Sequence, residues 1–315
     1  MQLVRSVAIV SVCALITTVW ADTMRADLPQ RQELWYASRV LSTVEINGSF
    51  YSLQRPEYYA QWHAETPDDF IFAVKGPRYI THMKRLLDVE APLANFFASG
   101  VFNLEAKLGP ILWQFPPNFS YQRERMERFF SLLPHDTAHA LRLARRRDGR
   151  MKGRARLAID EPRRLRHAVE IRHESFLDAS FIGLLRDHCI ALVTAETAKR
   201  WPLTHDVTAD FVYLRLHGEK TLYTSGYGER SLERWAGRIE AWHRGGEPAD
   251  AQKVLDRKPP TKAPRDVYCY FDNTDVKLRA PVDARSLMRK LGMRSGKPLH
   301  VRRPGTIVEG VARHA

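Results

Sequence analysis

The stretch Thr43-Val44-Glu45-Ile46-Asn47-Gly48-Ser49-Phe50-Tyr51 recurs in looser form at Ala168-Val169-Glu170-Ile171-Arg172-His173-Glu174-Ser175-Phe176. Each copy is typical of a buried β-strand with a carboxylate at its centre and polar residues at its end. Alternate residues of a strand share a face, so the glutamate and asparagine of the first copy are predicted to point to one side of the sheet. Glu170 and Arg172 pair in the same way. A buried carboxylate is costly without partners, which makes both glutamates candidates for an active site or for a structural ion pair.

Short apolar strands alternate with helical segments along the rest of the chain. The predicted strands are residues 43–47, 70–75, 111–115, 167–171, 190–194, 211–217 and 266–271. A βα repeat predicts a parallel sheet with helices outside it, and seven strands plus one near the N-terminus are the count of a (β/α)8 barrel. No Gly-rich phosphate fingerprint follows the early strands, which disfavours an open doubly wound sheet. We therefore predict an α/β, TIM-barrel-like fold over residues 25–293.

The two ends of the chain differ from this pattern. Residues 1–24 form an apolar segment without charge between Ser6 and Trp20, which is typical of a signal peptide or of a misassigned start. Residues 294–315 are basic and contain Gly and Pro, and are predicted to form a flexible tail. A Lys/Pro-rich loop is predicted at 245–266.

The positive charge is concentrated in one insert, residues 142–166. This insert carries 11 basic and 3 acidic residues, so it supplies +8 of the net charge of +13. We expect it to be solvated and without fixed structure, because it lacks the interleaved aromatic residues on which single-stranded nucleic acid would stack. A phosphate-tracking arm for nucleic acid is the alternative. The three cysteines have neither metal-ligand spacing nor the pattern of a disulfide framework.

Functional groups of a barrel gather at the carboxyl ends of its strands, and here nearly every predicted strand ends in a polar residue. Carboxylate and imidazole groups transfer protons, and a desolvated lysine can act as a nucleophile. The catalytic candidates are Glu45, Lys75, Glu170, His173 and His217. The substrate-binding candidates are Asn47, Tyr51, Tyr79, His82, Gln114, Arg172, Arg215, Asp272 and Asn273.

The arginines and the lysine favour a small anionic substrate, phosphorylated or sugar-like, because guanidinium groups bind carboxylate and phosphate in bidentate fashion. A divalent metal is an alternative, since Glu45, Glu170, His173, His217 and Asp272 are suitable donors. They lie on different strands without short ligand spacings, so no cofactor is predicted.

Six motifs carry a resemblance to a known family. They are Val-Glu-Ile-Asn-Gly-Ser-Phe-Tyr at 44–51, Phe-Ala-Val-Lys-Gly-Pro-Arg-Tyr-Ile-Thr-His at 72–82, Leu-Gly-Pro-Ile-Leu-Trp-Gln-Phe-Pro-Pro at 108–117, His-Ala-Val-Glu-Ile-Arg-His at 167–173, Tyr-Leu-Arg-Leu-His-Gly at 213–218 and Val-Tyr-Cys-Tyr-Phe-Asp-Asn at 267–273. In these the chain resembles the domain-of-unknown-function 72 family, also called YecE-like. The resemblance implies a TIM-barrel-like fold and a bacterial, cytoplasmic setting, and it implies no established activity.

One departure from the family lies at the start of the chain. The family usually begins with a strand that carries a Gly-Thr-Ser-Gly-Trp-like motif, and here the apolar segment stands in its place. The first strand is therefore expected to be atypical or missing, and export is the alternative to a cytoplasmic location.

The sequence thus predicts an enzyme, of hydrolase, lyase or isomerase class, that acts on a small anionic molecule. The alternatives are a nucleic-acid-binding or processing protein that uses residues 142–166, and a catalytically inactive binding barrel. No stable membrane partner is expected.

Overall fold

Eight parallel strands form a closed barrel in which each strand pairs with its neighbours in chain order. The computed structural model describes residues 8–12, 32–259, 263–273 and 279–293. The strands are β1 Ala8–Val12, β2 Thr43–Ile46, β3 Ile71–Lys75, β4 Leu108–Gln114, β5 His167–Glu170, β6 Ala191–Glu196, β7 Phe211–Leu216 and β8 Asp266–Phe271. The predicted (β/α)8 fold is confirmed.

Helices surround the barrel. They are α1 Glu33–Val40, α2 Gly48–Tyr51, α3 Pro56–Glu65, α4 Glu90–Ala98, α5 Arg123–Leu132, α6 Thr137–Ala144, α7 Ala179–Asp187, α8 Glu229–His243 and α9 Ala280–Lys290. A π-helical turn, Tyr79–Met83, and 3-10 turns at Val101–Lys107, Gly149–Met151 and Glu174–Phe176 complete the regular structure. In the described ranges, no helix combines the length and the apolar character needed to cross a lipid bilayer.

The first strand is present. β1 pairs in parallel with β8 from Ala8 opposite Val267 to Val12 opposite Phe271, and it meets β2 at Val12 opposite Val44. The sequence Ala-Ile-Val-Ser-Val of this strand stands in place of the family's usual motif, so the strand is atypical, and the alternative that it is lost is wrong. The rest of the signal-like segment and the basic tail from residue 294 lie outside the described residues.

The alternation of side chains along the strands builds two apolar layers. Val44, Ile46 and Trp113 point outward into the layer between sheet and helices. Small residues such as Ala73 and Ala168 fill the inside of the barrel, together with the large rings contributed by β7 and β8. The charged residues Glu45, Glu170 and Arg215 belong to this inner side, as the period of two predicts.

The basic insert is folded, which contradicts the expectation of a solvated segment without fixed structure. Met151 is buried, and the backbone of Arg164 forms an isolated antiparallel β-bridge with that of Asp136 before the chain enters β5. Arg166 pairs with Asp266 at 2.6 Å and is 3.5 Å from Asp210, so part of the positive charge is neutralised by carboxylates outside the insert.

Candidate functional site

Arg215, near the carboxyl end of β7, is the centre of a buried ion cluster. Its guanidinium donates to both oxygens of Glu45 at 3.0 and 3.2 Å, to Glu170 Oε2 at 2.7 Å and to Asp272 Oδ2 at 3.0 Å. The Arg215 side chain is only 1% exposed. Three carboxylates from β2, β5 and the end of β8 therefore converge on one cation, and a guanidinium with five donors in a planar fork suits this arrangement.

The two strand glutamates carry further hydrogen bonds. Tyr213, two residues before Arg215 on the same face of β7, donates to Glu45 Oε2 at 2.6 Å. Glu170 Oε1 accepts from Gln114 at 2.8 Å and from Arg172 at 2.9 Å. Burial acts to raise the pKa of Glu170, but Arg215 and Arg172 outweigh it and hold this pKa well below its usual value. Glu170 is therefore ionised at neutral pH.

His217 and Asp272 extend the cluster toward the mouth of the barrel. His217 Nδ1 lies 3.1 Å from Asp272 Oδ2, and its Nε2 faces Arg215 at 3.4 Å, which assigns the ring proton to Nδ1. Burial and Arg215 lower the pKa of His217, so the imidazole is neutral at neutral pH. Burial acts to raise the pKa of Asp272, but Arg215 and His217 outweigh this effect. The pKa of Asp272 is therefore below its usual value.

A cleft of about 540 Å³ opens above this cluster at the carboxyl ends of the strands. We call it the cleft; its lining residues are Asn47, Phe50, Tyr51, Lys75, Arg78, His82, Met83, Gln114, Arg172, Tyr223 and Asp272. Its volume lies in the range of small-molecule sites.

Three cations face the cleft. Lys75, at the end of β3, holds its ammonium 4.2 Å from the centre of the Phe50 ring. The Cζ of Arg172, just after β5, lies over the Trp201 ring at 3.7 Å from its centre, and Arg78 follows β3 at the rim. Cation–π stacking of this kind fixes the direction of a guanidinium while leaving its other donors available.

His82 stands among these cations. Its Nδ1 is 2.8 Å from Thr81 Oγ1, and its ring meets Phe50 edge to face. Burial, followed by Lys75, Arg172 and Arg78, lowers the pKa of His82 to about 4. The imidazole is therefore neutral at neutral pH, as an acceptor of protons must be.

Tyr223 reaches the cleft from the loop after β7. Gly218 turns the chain there with a φ of 119°, and a Cβ at this position would lie 2.4 Å from the carbonyl oxygen of Thr221, so glycine is required. The turn places the Tyr223 ring edge to face with His217 at 5.3 Å, and its hydroxyl is 3.4 Å from Arg172. Burial raises the pKa of Tyr223, which keeps the hydroxyl protonated.

Most of the residues predicted for the site meet here, in two groups. The buried cluster contains Glu45, Glu170, Arg215 and His217, and the cleft is lined by Asn47, Tyr51, Lys75, His82, Gln114, Arg172 and Asp272. Arg215 was expected to bind substrate, and the structure places it beneath the cleft, bound to carboxylates.

The structure does not bring three predicted residues to the cleft. His173 Nδ1 contacts Ser175 Oγ at 2.8 Å and caps the turn that follows β5. Tyr79 is directed to Arg150 of the basic insert. Asn273 donates to Asp283 at 2.9 Å and to the carbonyl oxygen of Ser225, so it ties β8 to its neighbouring elements.

Sequence reasoning missed other members of the site. Tyr213 could have been found, because it shares a strand face with Arg215, and Arg78 belongs to a motif quoted for the family resemblance. Tyr223 and Trp201 come from loops whose path no local pattern indicates. Among the described residues, no three His, Cys, Asp or Glu side chains are placed to hold a metal ion together. Four of the five side chains considered as metal donors, Glu45, Glu170, His217 and Asp272, surround the guanidinium of Arg215 instead.

Comparisons with known proteins agree with this architecture. A family described as "Protein of unknown function DUF72" matches residues 17–306. The "UPF0759 protein YecE" of Escherichia coli O157:H7, and that of strain K12, is 24% identical over 210 residues, which cover 65% of this chain and 73% of the relative.

Two solved structures of DUF72 family proteins show the same fold. The protein from Thermotoga maritima is 23% identical with a TM-score of 0.66, over 90% of this chain and 99% of the other. The protein from Enterococcus faecalis is 15% identical with a TM-score of 0.66, over 94% and 100%. The predicted resemblance is confirmed, and the chain belongs to the DUF72 family.

Proposed function

We propose that this protein is an enzyme that binds a small anionic substrate in the cleft, with Lys75, Arg78 and Arg172 as the cations that hold it. The observation that carries the proposal is the imbalance of charge at the cleft surface. Three cations line it together with one carboxylate, Asp272, and that carboxylate is bound to Arg215. An entering anion therefore meets three cations and a single carboxylate, which already accepts from Arg215.

The buried cluster positions the groups that bind the anion. Glu170 accepts from both Arg215 and Arg172, and the Arg172 guanidinium is fixed from its other side by Trp201. A side chain held in this way loses little entropy when it binds an anion. Glu45 and Glu170 are then positioning residues, since both are buried beneath the cleft and accept hydrogen bonds from Arg215.

Proton transfer is assigned to groups that reach the cleft. His82 is neutral and can accept a proton, and Tyr223 keeps its proton and can donate it. The pair would serve a hydrolase, lyase or isomerase equally well. Nucleic-acid binding through residues 142–166 and a catalytically inactive binding barrel stay as alternatives.

The test is titration calorimetry with inorganic phosphate and acetate. We expect the wild-type protein to bind phosphate at one site, and Arg172→Gln to weaken binding at least tenfold, because a charge-assisted bidentate contact is lost. Arg244→Gln is the matched control, since it removes the same charge from an exposed position at the end of α8.

Equal loss of affinity in the two variants would mean that phosphate responds to net charge alone, and would contradict the proposal. Circular dichroism and thermal unfolding of both variants establish that the barrel is intact before affinities are compared.

A further inference from the structure

The rim of the cleft is apolar as well as cationic. Tyr51 and Met83 are 61% and 63% exposed, the highest values among the large hydrophobic side chains in the part of the chain that the structure describes. Both line the same cleft. Single exposed apolar residues need no explanation, but two beside a cationic pocket indicate a surface that a ligand covers.

The rim presents ring faces in a fixed arrangement. Tyr51 meets Phe50 edge to face at 5.2 Å, and Phe50 meets His82 edge to face at 5.1 Å. The Arg78 guanidinium lies 5.9 Å from the centre of the Tyr51 ring. The rings hold one another in place, so Tyr51 offers a flat surface at little cost in side-chain entropy.

Resting on the proposed function, we infer that the substrate is an aromatic anion: a planar ring that packs on Tyr51 and Met83, bearing an anionic group that binds Lys75 and Arg172. A ring on Tyr51 gains stacking energy beyond its buried area, and a methionine thioether contacts aromatic rings favourably. The Arg78 guanidinium can stack on the same ring.

The dimensions of the cleft agree with such a ligand. A volume of about 540 Å³ exceeds what a bare phosphate or acetate needs, and it accommodates a ring with its substituent. A small aliphatic anion would bind the cations and leave the Tyr51 and Met83 side chains in water. The apolar rim therefore selects the part of the substrate that carries no charge.

The experiment is titration calorimetry of three phosphates: inorganic phosphate, cyclohexyl phosphate and phenyl phosphate. We expect phenyl phosphate to bind roughly tenfold more tightly than inorganic phosphate, with cyclohexyl phosphate between them, because its ring buries similar area but cannot stack.

Variants at the rim test whether Tyr51 is responsible for the tighter binding of phenyl phosphate. Tyr51→Ala should weaken phenyl phosphate roughly five- to tenfold and leave inorganic phosphate unchanged, while Tyr51→Phe should retain the wild-type preference. Tyr58→Ala, at an exposed tyrosine of α3 outside the cleft lining, should behave as wild type.

Three outcomes overturn the inference while leaving an anion site in place: equal affinity for phenyl and inorganic phosphate, equal affinity for phenyl and cyclohexyl phosphate, or a Tyr51→Ala variant that loses all three ligands equally. Failure of the wild-type protein to bind any of the phosphates overturns the proposed function together with the inference.

Discussion

The pKa of His82 should change when an anion binds in the cleft, because it depends on the charges of the surrounding cations. Burial and the cations Lys75, Arg172 and Arg78 keep its pKa at about 4. A bound anion offsets those cations and raises this pKa toward the ordinary value, so the substrate itself would make the base stronger at the moment when it is needed.

We therefore predict that the imidazole of His82, followed by NMR, titrates near pH 4 in the free protein and at higher pH with saturating phosphate. Arg172→Gln should raise the midpoint without ligand, because one repelling cation is gone, and Arg244→Gln should leave it unchanged. A midpoint near 6.5 in the free wild-type protein would contradict the placement of His82 among the cations.

The residues of the buried cluster were largely predictable, and their connections were not. A period of two puts Glu45, Glu170 and Arg215 on inward faces near strand ends, which is a local property of the sequence. That Arg215 binds carboxylates and Arg172 faces the cleft depends on which strands adjoin, and on the Trp201 ring, whose loop carries no local signal.

Among the elements, α9 controls the loop that carries Tyr223. Asp283, buried in the first turn of α9, accepts from the backbone N–H of Tyr227 at 3.1 Å and from Asn273 at 2.9 Å. One carboxylate thus joins the end of β8, the loop after β7 and a helix. This explains the polar residue at position 273 without a ligand.

We predict that Asp283→Ala lowers the free energy of unfolding by about 1–3 kcal/mol, because it leaves a backbone N–H and an amide without partners. It should also weaken phosphate binding, since Tyr223 loses its fixed position although no cleft residue has changed. Denaturant unfolding and calorimetry measure the two effects, with the exposed Asp187→Ala as control. Wild-type phosphate affinity in a destabilised Asp283→Ala variant would show that the loop is held by other contacts.

Most strands could be predicted from their own sequence, but the first strand could not be told apart from a signal peptide. The strand β8 follows a clear apolar pattern, and its predicted bounds, 266–271, agree with the structure. β1 resembles the apolar centre of a signal peptide, because both are short apolar segments without charge. Only its pairing with β8 and β2, which is long-range in sequence, identifies it as a strand.

At the scale of the whole molecule, buried histidines couple folding to pH. The pKa values of five histidines are lowered by burial, which is the largest cause in each case; they are His82, His135, His167, His205 and His217. At these five positions the unfolded chain therefore binds more protons than the folded chain below about pH 6.5, and the stability that the neutral imidazoles contribute is lost as the pH falls through their lowered pKa values. Glu170 and Asp272 have lowered pKa values and lose their contribution at still lower pH.

His167 gives the sharpest test of this coupling. It is buried at the start of β5, its Nδ1 accepts from Trp113 Nε1 at 3.1 Å, and its Nε2 donates to the carbonyl oxygen of Pro134 at 2.8 Å. A second ring proton would point at the Trp113 N–H, so charging the imidazole breaks this bond. Its pKa is lowered from 6.5 to about 4, which corresponds to on the order of 3 kcal/mol of stability present above pH 6.5 and lost as the pH falls to 4.

We predict that His167→Gln reduces the fall in unfolding free energy between pH 7 and pH 4.5 by a large part of that amount, whatever the variant costs at pH 7. The measurement is the free energy of unfolding in urea at several pH values. His139→Gln, at a side chain that is 60% exposed, should retain the wild-type slope of unfolding free energy against pH. Because the readout is the slope and not the absolute stability, a glutamine that packs poorly shifts the whole curve without imitating the effect. A variant whose slope equals that of the wild-type protein would mean that His167 becomes charged in the folded barrel, and that the acid sensitivity of this protein resides in its other buried groups.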